Sequence, residues 1–370
     1  MLPTFRTRLH IGHHFFGSGN IGDDFMLAGF LEIARDLLGN PHLTCCTPFD
    51  RDAQRLRLPD VTWLPYDAAS RDEAVASSDA WIGVGDSPFQ SEVGSWFLDH
   101  LAEEGARCDR FRKPMFYFCV GVNDYAAMNY PATRAIAAAA EGIWTRDRQS
   151  TAMLRQIVTH ERVAPAADLA HVFFLSRRRP AVEPEVTGWL LNFEDRSAFS
   201  AGALCAALDA LATNRHRWLV QEVRRLTGSE WELLASLPSD HRERLEVRAP
   251  DYAAASMADL TACWGAPETI VTSRYHGALF GAWAGAKVIV VERNAKLTGL
   301  VEQLELTSIK DFTSEDSLLA AMARAQPVDA GRLAGLAAAV TRAGQQLAGA
   351  LAAVGSTERT VRWPAGDDHD

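Results

Sequence analysis

Short apolar-rich runs recur along this chain, separated by longer stretches with helical spacing. The runs are Leu9–Phe15, Leu43–Cys46, Ala80–Val84, Met115–Val120, Ile143–Thr145, Thr187–Leu191, Trp218–Val220, Leu245–Val247, Thr269–Thr272 and Lys287–Val291. The helical stretches include Asp24–Leu38, Ser91–Glu104, Arg148–Val158, Ala198–Ala212, Met257–Trp264 and Tyr275–Trp283. A strand that reads as an almost unbroken apolar run is buried on both faces, as in parallel sheets covered by helices on either side. The alternation therefore predicts an α/β protein built from doubly wound parallel sheets.

One segment breaks the rhythm. Ser176–Glu185 carries three arginines and two prolines and reads as a linker between two α/β halves. The expected organisation is a Rossmann-like domain over 1–176, a second over 185–329, an Ala-rich C-terminal helix over 330–354 and a polar tail over 355–370. Two such halves leave a cleft facing the carboxyl ends of both sheets, where doubly wound folds place their ligands.

Composition narrows the partners. With 37 Lys+Arg against 47 Asp+Glu the net charge is -10, and a nucleic-acid-binding chain would instead carry a basic footprint. The only lysines are Lys113, Lys287, Lys296 and Lys310, so each stands out. The six cysteines (Cys45, Cys46, Cys108, Cys119, Cys205 and Cys263) form no CxxC pair and show no metal-type spacing with histidine. They read as reduced thiols of a reducing compartment. The first residues, MLPTFRTRLHIGHHFFG, lack the apolar core of a signal peptide, and no window has the length of a spanning helix. The expectation is a cytoplasmic protein with no transmembrane segment.

Several strand ends run into loops that could bind an anion. The first is His13-His14-Phe15-Phe16-Gly17-Ser18-Gly19-Asn20-Ile21-Gly22-Asp23-Asp24. Its glycines permit close backbone approach to a ligand, and Asp23 or Asp24 can cap the following helix. The same residues also suit a tight turn with no ligand, and their spacing is not that of a dinucleotide fingerprint. Gly83-Val84-Gly85-Asp86 and Gly121-Val122-Asn123-Asp124 are two further strand-end loops. Arg146 follows the run Ile143–Thr145 and suits bidentate recognition of carboxylate or phosphate, with Asp147 either orienting it or capping a helix. In Ser273-Arg274-Tyr275-His276-Gly277, Arg274 and His276 stand where a strand ends and a helix begins. That position favours anions, and a histidine there can act as acid, base or phosphate ligand. Lys296 lies just past the strand Lys287–Val291, and Asp168 offers a further carboxylate near the end of the first half.

In this order, the segments Gly17–Asp23, Gly83-Val84-Gly85, Arg146–Ser150, Asp168, Ser273–Gly277 and the Lys296 loop resemble the polysaccharide pyruvyl transferase family. The resemblance runs from about Leu9 to Leu304. It implies a glycosyltransferase-B-like fold of two Rossmann-like domains and an enzyme that moves the pyruvyl group of phosphoenolpyruvate onto sugar hydroxyls as a ketal. Carried over, Arg146, Arg274 and His276 are the catalytic residues, and together with Ser273 and Lys296 they hold the donor. Gly19, Asn20, Asp23, Asp86 and Asp168 are expected on the acceptor side or along the cleft, with Asp23 or Asp168 as base toward the acceptor hydroxyl. The first half would serve mainly the acceptor, while contributing Arg146, and the second the donor. No metal and no cofactor is implied; phosphoenolpyruvate is the donor substrate.

The chain departs from the family pattern at Gly83-Val84-Gly85-Asp86, where members commonly carry consecutive glycines. A carboxylate at Asp86 would repel an anionic ligand, which assigns this loop to the acceptor. The total of 10 tryptophans is high, and Trp81, Trp96, Trp144, Trp189, Trp218, Trp231, Trp264 and Trp283 include candidates for stacking on sugar rings, although most are expected in the core or at an interface. Two other readings share the pattern: a nucleotide-sugar-dependent glycosyltransferase of the same fold, and a non-catalytic relative. Homo-oligomerisation and peripheral contact with a membrane-borne acceptor are compatible with all three.

Overall fold

The computed structural model describes residues 7–90, 94–123, 131–177, 186–194, 200–211, 216–222, 230–310, 312 and 314–356. Two parallel sheets account for the apolar runs. The first comprises β1 (Arg8–Ile11), β2 (His42–Thr47), β3 (Val61–Pro65), β4 (Ala80–Val84), β5 (Met115–Val120), β6 (Gly142–Thr145) and β7 (Val163–Pro165), in the order β3-β2-β1-β4-β5-β6-β7. The second comprises β8 (Val186–Asn192), β9 (His216–Leu219), β10 (Leu245–Arg248), β11 (Pro267–Thr272), β12 (Lys287–Val291) and β13 (Thr307–Ile309), in the order β10-β9-β8-β11-β12-β13. In each, the first strand stands inside the sheet and the winding reverses beside it, between β1 and β4 and between β8 and β11. Ile11 pairs with Ile82 across the first switch and Val271 with Leu191 across the second. This is an α/β fold of two Rossmann-like domains, glycosyltransferase-B-like in arrangement.

Where the sequence reading and the fold differ, the causes are local. The strands β3, β7 and β13 are absent from the sequence reading, and all three lie at sheet edges. An edge strand is covered less completely, and β3 alternates buried and exposed residues along Val-Thr-Trp. The run Leu9–Phe15 is a strand only as far as Ile11. Gly12 then lies so close to Trp81 that a Cβ there would stand 1.8 Å from the indole. The helix read from Asp24 begins at Ile21 and is capped by Asn20, whose side chain accepts from the Gly22 N–H at 3.1 Å; neither Asp23 nor Asp24 is the cap. The helix read as Arg148–Val158 ends at Leu154, and that read from Ser91 runs Trp96–Arg110. Residues 91–93, most of the linker (178–185) and the tail from 357 lie outside the described residues, as do Asp124, 198–199 and 212.

The C-terminal helix Ala330–Ser356 returns to the first half of the molecule. Leu333, Ala337, Val340, Ala343 and Leu347 form one buried stripe along it, the spacing of a single helical face. Gly344 lets it approach Ile33 and Leu37, and Trp144 Nε1 donates to Gln346 at 2.7 Å.

The two sheets are joined by a shared apolar layer. Phe25 of the helix Ile21–Leu37 lies 5.1 Å from Phe173, 5.0 Å from Phe174 and 5.9 Å from Trp264, ring centre to ring centre. Phe280 of the helix Tyr275–Ala284 contacts Phe174 and Trp264. Beside this layer is a wholly buried ion pair, Arg57 to Asp24 at 3.3 Å, with the Tyr252 hydroxyl donating to Asp24 and the Arg57 guanidinium 3.7 Å from the Tyr252 ring centre.

A cluster of histidines fills the space behind the exit of β1. His13 Nδ1 meets the Val84 carbonyl at 3.0 Å, and His100 Nε2 meets that of Gly12 at 3.0 Å. Burial pushes His10 and His100 down to about 4 and His13 and His14 to about 3. All four are therefore neutral in the folded chain at pH 7. None of the six cysteines forms a disulfide; five are buried and Cys263 is half-buried. Among the described residues, no helix is long and apolar enough to cross a membrane.

Two predictions follow from the packing and the titration. Phe174→Ala should destabilise the protein by about 3–5 kcal/mol, the usual cost of emptying a large aromatic site. Because one apolar layer serves both sheets, chemical denaturation of the variant should show a single transition at lower denaturant, not the selective loss of one half. The histidines bind protons more readily unfolded than folded. Their stabilising contribution is complete above the ordinary histidine value of ~6.5 and is lost as pH falls toward about 4. The melting temperature measured from pH 7.5 to 4.5 should fall across that window.

Candidate active site

The carboxyl ends of the two sheets face each other, and the loops leaving β1, β4, β6, β11 and β12, together with the segment after β7, bring their polar residues together there. Gly19, with φ 106°, turns the chain into the helix Ile21–Leu37. The start of that helix is seated on the second domain. The Ile21 N–H donates to the Gln221 carbonyl at 3.2 Å, Gln221 Nε2 donates to Asn20 Oδ1 at 3.3 Å, and Asn20 bridges to Glu222. Gly22 lies against His276, and a Cβ there would stand 2.2 Å from its Nδ1.

Arg146 leaves the end of β6 and is buried. Its Nη2 donates to Ser87 Oγ at 2.6 Å, and its guanidinium lies flat on Gly121 and 4.8 Å from the Tyr275 ring centre. Nε and Nη1 have no hydrogen-bond partner among the described residues, and the nearest carboxylate, Asp147, is 3.7 Å away. Asp147 instead caps the helix Arg148–Leu154 by accepting from the Ser150 N–H at 2.6 Å. Buried donors without partners carry a desolvation cost of about 1–3 kcal/mol, which an anionic ligand would remove.

Across from Arg146, β11 ends in Thr272, whose hydroxyl accepts from the Arg274 N–H at 2.9 Å and donates to Asn192 at 3.1 Å. Gly277 leaves room for this pair: a Cβ would fall 2.3 Å from Asn192 Oδ1. The turn aims His276 at Asp168, Nε2 to Oδ1 3.5 Å, with both side chains buried. Asp168 Oδ1 also accepts from the Ala170 N–H at 2.9 Å, while Oδ2 has no partner among the described residues. Burial alone would raise the Asp168 carboxyl. His276, Arg146 and the Ala170 N–H outweigh it and hold Asp168 below the usual carboxylate range. Burial depresses His276, and Asp168 offsets part of that shift.

Lys296 completes the cationic side. Its Nζ is 5.2 Å from the ring centre of Tyr275, the ring that Arg146 also approaches, and makes no ion pair within 4 Å among the described residues. Burial and the nearby Arg146 charge push it down to about 8, against the attraction of Asp86 and Glu194. Asp86 lies in left-handed backbone (φ 59°) and is felt electrostatically by Arg146, Lys296 and Asp23. The loop expected to face an acceptor therefore borders the cationic pocket. Asp23 accepts from Asn20 Nδ2 at 3.1 Å, and burial, Asp86 and Asp24 raise its carboxyl well above the ordinary range.

The structure thus brings Arg146, Asp168, His276, Lys296, Asp86 and Asp23 together, while two expected donor residues have other partners. Arg274 is enclosed by carboxylates: Glu230 at 2.8 Å, Glu222 at 2.9 Å and Glu194 at 3.4 Å. Ser273 Oγ accepts the Glu194 N–H at 2.8 Å. Ser87, Tyr275 and the three glutamates were not singled out from sequence. Ser87 lies 59 positions from the arginine it bonds, and no local spacing announces such a contact. Among the described residues, no group of three or more His, Cys, Asp or Glu side chains is arranged to hold a metal ion.

Comparison with known proteins agrees with this architecture. Solved structures with similar folds include the UDP-N-acetylglucosamine 2-epimerase of Neisseria meningitidis bound to UDP-GlcNAc (TM-score 0.58, 9% identity, 94% of this chain and 100% of that one). S. aureus MnaA with UDP is another (0.58, 10%, 93% and 94%), as is Anabaena Alr3699/HepE with UDP and glucose (0.53, 11%, 94% and 97%). At these identities the likeness is one of fold. No curated protein matches by sequence. The sequence model described as "Polysaccharide pyruvyl transferase" matches residues 20–294, a span that holds every residue of the pocket except Gly19 and Lys296. With that match covering most of its length and all but the edges of its site, the chain belongs to the polysaccharide pyruvyl transferase family.

Proposed function

We propose that this transferase moves the pyruvyl group of phosphoenolpyruvate onto two hydroxyls of a sugar as a ketal and releases phosphate. The family supports pyruvyl transfer in polysaccharide biosynthesis. The donor is supported by one observation, the buried Arg146 with two unpartnered N–H donors in the same pocket as Lys296 and His276, while the ketal is what the family resemblance implies. Phosphoenolpyruvate carries a carboxylate and a phosphate, and this cationic corner has the charge and the donor geometry to hold them.

The reaction then divides among the residues as follows. The enol methylene takes up a proton and becomes a methyl group, the first sugar hydroxyl adds to C2, the C2–O bond to phosphate breaks, and the second hydroxyl closes the ketal. Of the two hydroxyl protons, one is balanced by the new methyl C–H and the other leaves on phosphate. His276 supplies a proton or a hydrogen bond to the departing phosphate. Asp168, held ionised, orients the imidazole and favours its charged form once the anion is bound. Asp23 faces the same pocket with a carboxyl raised well above the ordinary range by burial and by Asp86, which suits it to holding a proton there. Arg274, within its ring of three glutamates, braces the exits of β8 and β9 and so acts as a positioning residue.

Calorimetric titration of phosphoenolpyruvate tests the donor. Micromolar-range binding, about −8 kcal/mol, is expected of the wild type. Arg146→Ala should weaken it tenfold to a hundredfold, roughly the 1.5–3 kcal/mol of a hydrogen bond to a charged group. Unchanged affinity in the variant would remove the basis of the proposal, and binding of UDP in place of phosphoenolpyruvate would favour the nucleotide-sugar reading.

The pH dependence gives a second test. Lys296 loses its proton as pH rises through about 8, so donor affinity should fall between pH 7.5 and 9. In Lys296→Arg the charge persists, and the affinity should stay level over that range.

A further inference from the structure

At the same lip of the first sheet, on the side away from Arg146, aromatic rings form a shelf that neither the donor site nor the core accounts for. Trp96 is 49% exposed, the only aromatic among the exposed large apolar side chains of the described residues. It opens the helix Trp96–Arg110, where no side chain caps the first turn. Its ring meets His14 edge-on at 5.7 Å and leans on Phe97 at 5.2 Å. His14 in turn stacks on the half-buried Tyr66 at 4.6 Å and 27°, and the Tyr66 hydroxyl is fixed by His100 Nδ1 at 2.9 Å. The rings under Trp96 are thus tied to one another and to the backbone, while about half of the indole remains in water.

The shelf is tied to the pocket through the chain and one hydrogen bond. His14 follows His13, which is bonded to the carbonyl of Val84, and Val84 stands two residues before Asp86. Along the sheet, the exits of β1 and β6 are three strand spacings apart, about 14 Å at ~4.8 Å each. An aromatic face that is wet on one side and braced on the other suits a ligand with an apolar face and a polar rim, and a pyranose ring is such a ligand.

We propose that Trp96, Tyr66 and His14 are an acceptor subsite that stacks a sugar ring. The distance from the Arg146 pocket exceeds the span of one pyranose. The acceptor is accordingly an oligosaccharide, with one residue on the shelf and another presenting its hydroxyls to Asp23 and Asp86. This rests on the reading of the chain as a pyruvyl transferase, but its test does not require the donor.

Fluorescently labelled wild type, Trp96→Phe and Trp96→Ala are applied, without phosphoenolpyruvate, to an array of immobilised oligosaccharides and their component monosaccharides. Thermal melts confirm that the variants fold. Binding of particular oligosaccharides over the monosaccharides, weakened about tenfold in Trp96→Ala and partly retained in Trp96→Phe, is the expected result. Equal binding by wild type and Trp96→Ala, or a wild type that binds no oligosaccharide, overturns the proposal. A Trp96→Ala protein that changes only its molecular mass in solution overturns it as well, by making the shelf a contact between copies. Since the donor is absent, failure of the phosphoenolpyruvate titration leaves this result readable on its own.

Discussion

The packing of Phe25 against Phe173, Phe174 and Trp264, with Phe280 beyond, holds two separately wound sheets in one mutual orientation. The site depends on it because its members come from both sheets. Arg146 and Asp168 belong to the first domain, while His276 and Lys296 belong to the second. A layer of large aromatics resists small shifts, since close-packed interiors give up dispersion contacts for fractions of an ångström. The buried Asp24–Arg57 pair with Tyr252 adds direction to this contact. Such a pair is weak evidence for stability, yet breaking it would leave a charge uncompensated in the interface.

On that frame the chain gathers charges that would otherwise repel. Arg146 and Lys296 both lie over the ring of Tyr275, and Asp168 and Asp86 offset them. The residual strain is expressed as shifted protonation, with Lys296 lowered, Asp23 raised and Asp168 held ionised. These shifts have opposite signs within one pocket, a pattern typical of sites where protons and anions are handled. Arg274 sits one turn of chain away in the reverse situation, a cation surrounded by glutamates.

Much of the fold is legible in the sequence because burial on both faces leaves a local record. Ala-Trp-Ile-Gly-Val at β4 and the unbroken Met115–Val120 of β5 occupy sheet interiors and are readable to the residue. The edge strands β3, β7 and β13 leave a fainter record, since one side is less covered and the run is shorter or alternates. The cap of the first helix is ambiguous in the sequence for a different reason. Asn20, Asp23 and Asp24 all have capping side chains, and only the backbone path, set by Gly19 and by the seat on Gln221, selects Asn20.

What the sequence by itself determined is the class of fold, the strand ends at which polar residues gather, and the identity of Arg146, His276, Asp168 and Lys296 as notable side chains. These follow from composition and spacing within a few residues. Only the tertiary structure decided which of them meet. Asp168 and His276 lie 108 positions apart, Arg146 finds Ser87, and Arg274 faces three glutamates from beyond β8 and β9. The C-terminal helix likewise returns across the molecule to Ile33 and Trp144. The reason is physical: a helix or strand is selected by the burial pattern of its own residues, whereas a contact between distant segments is selected by how whole faces pack, and that carries no local period to read.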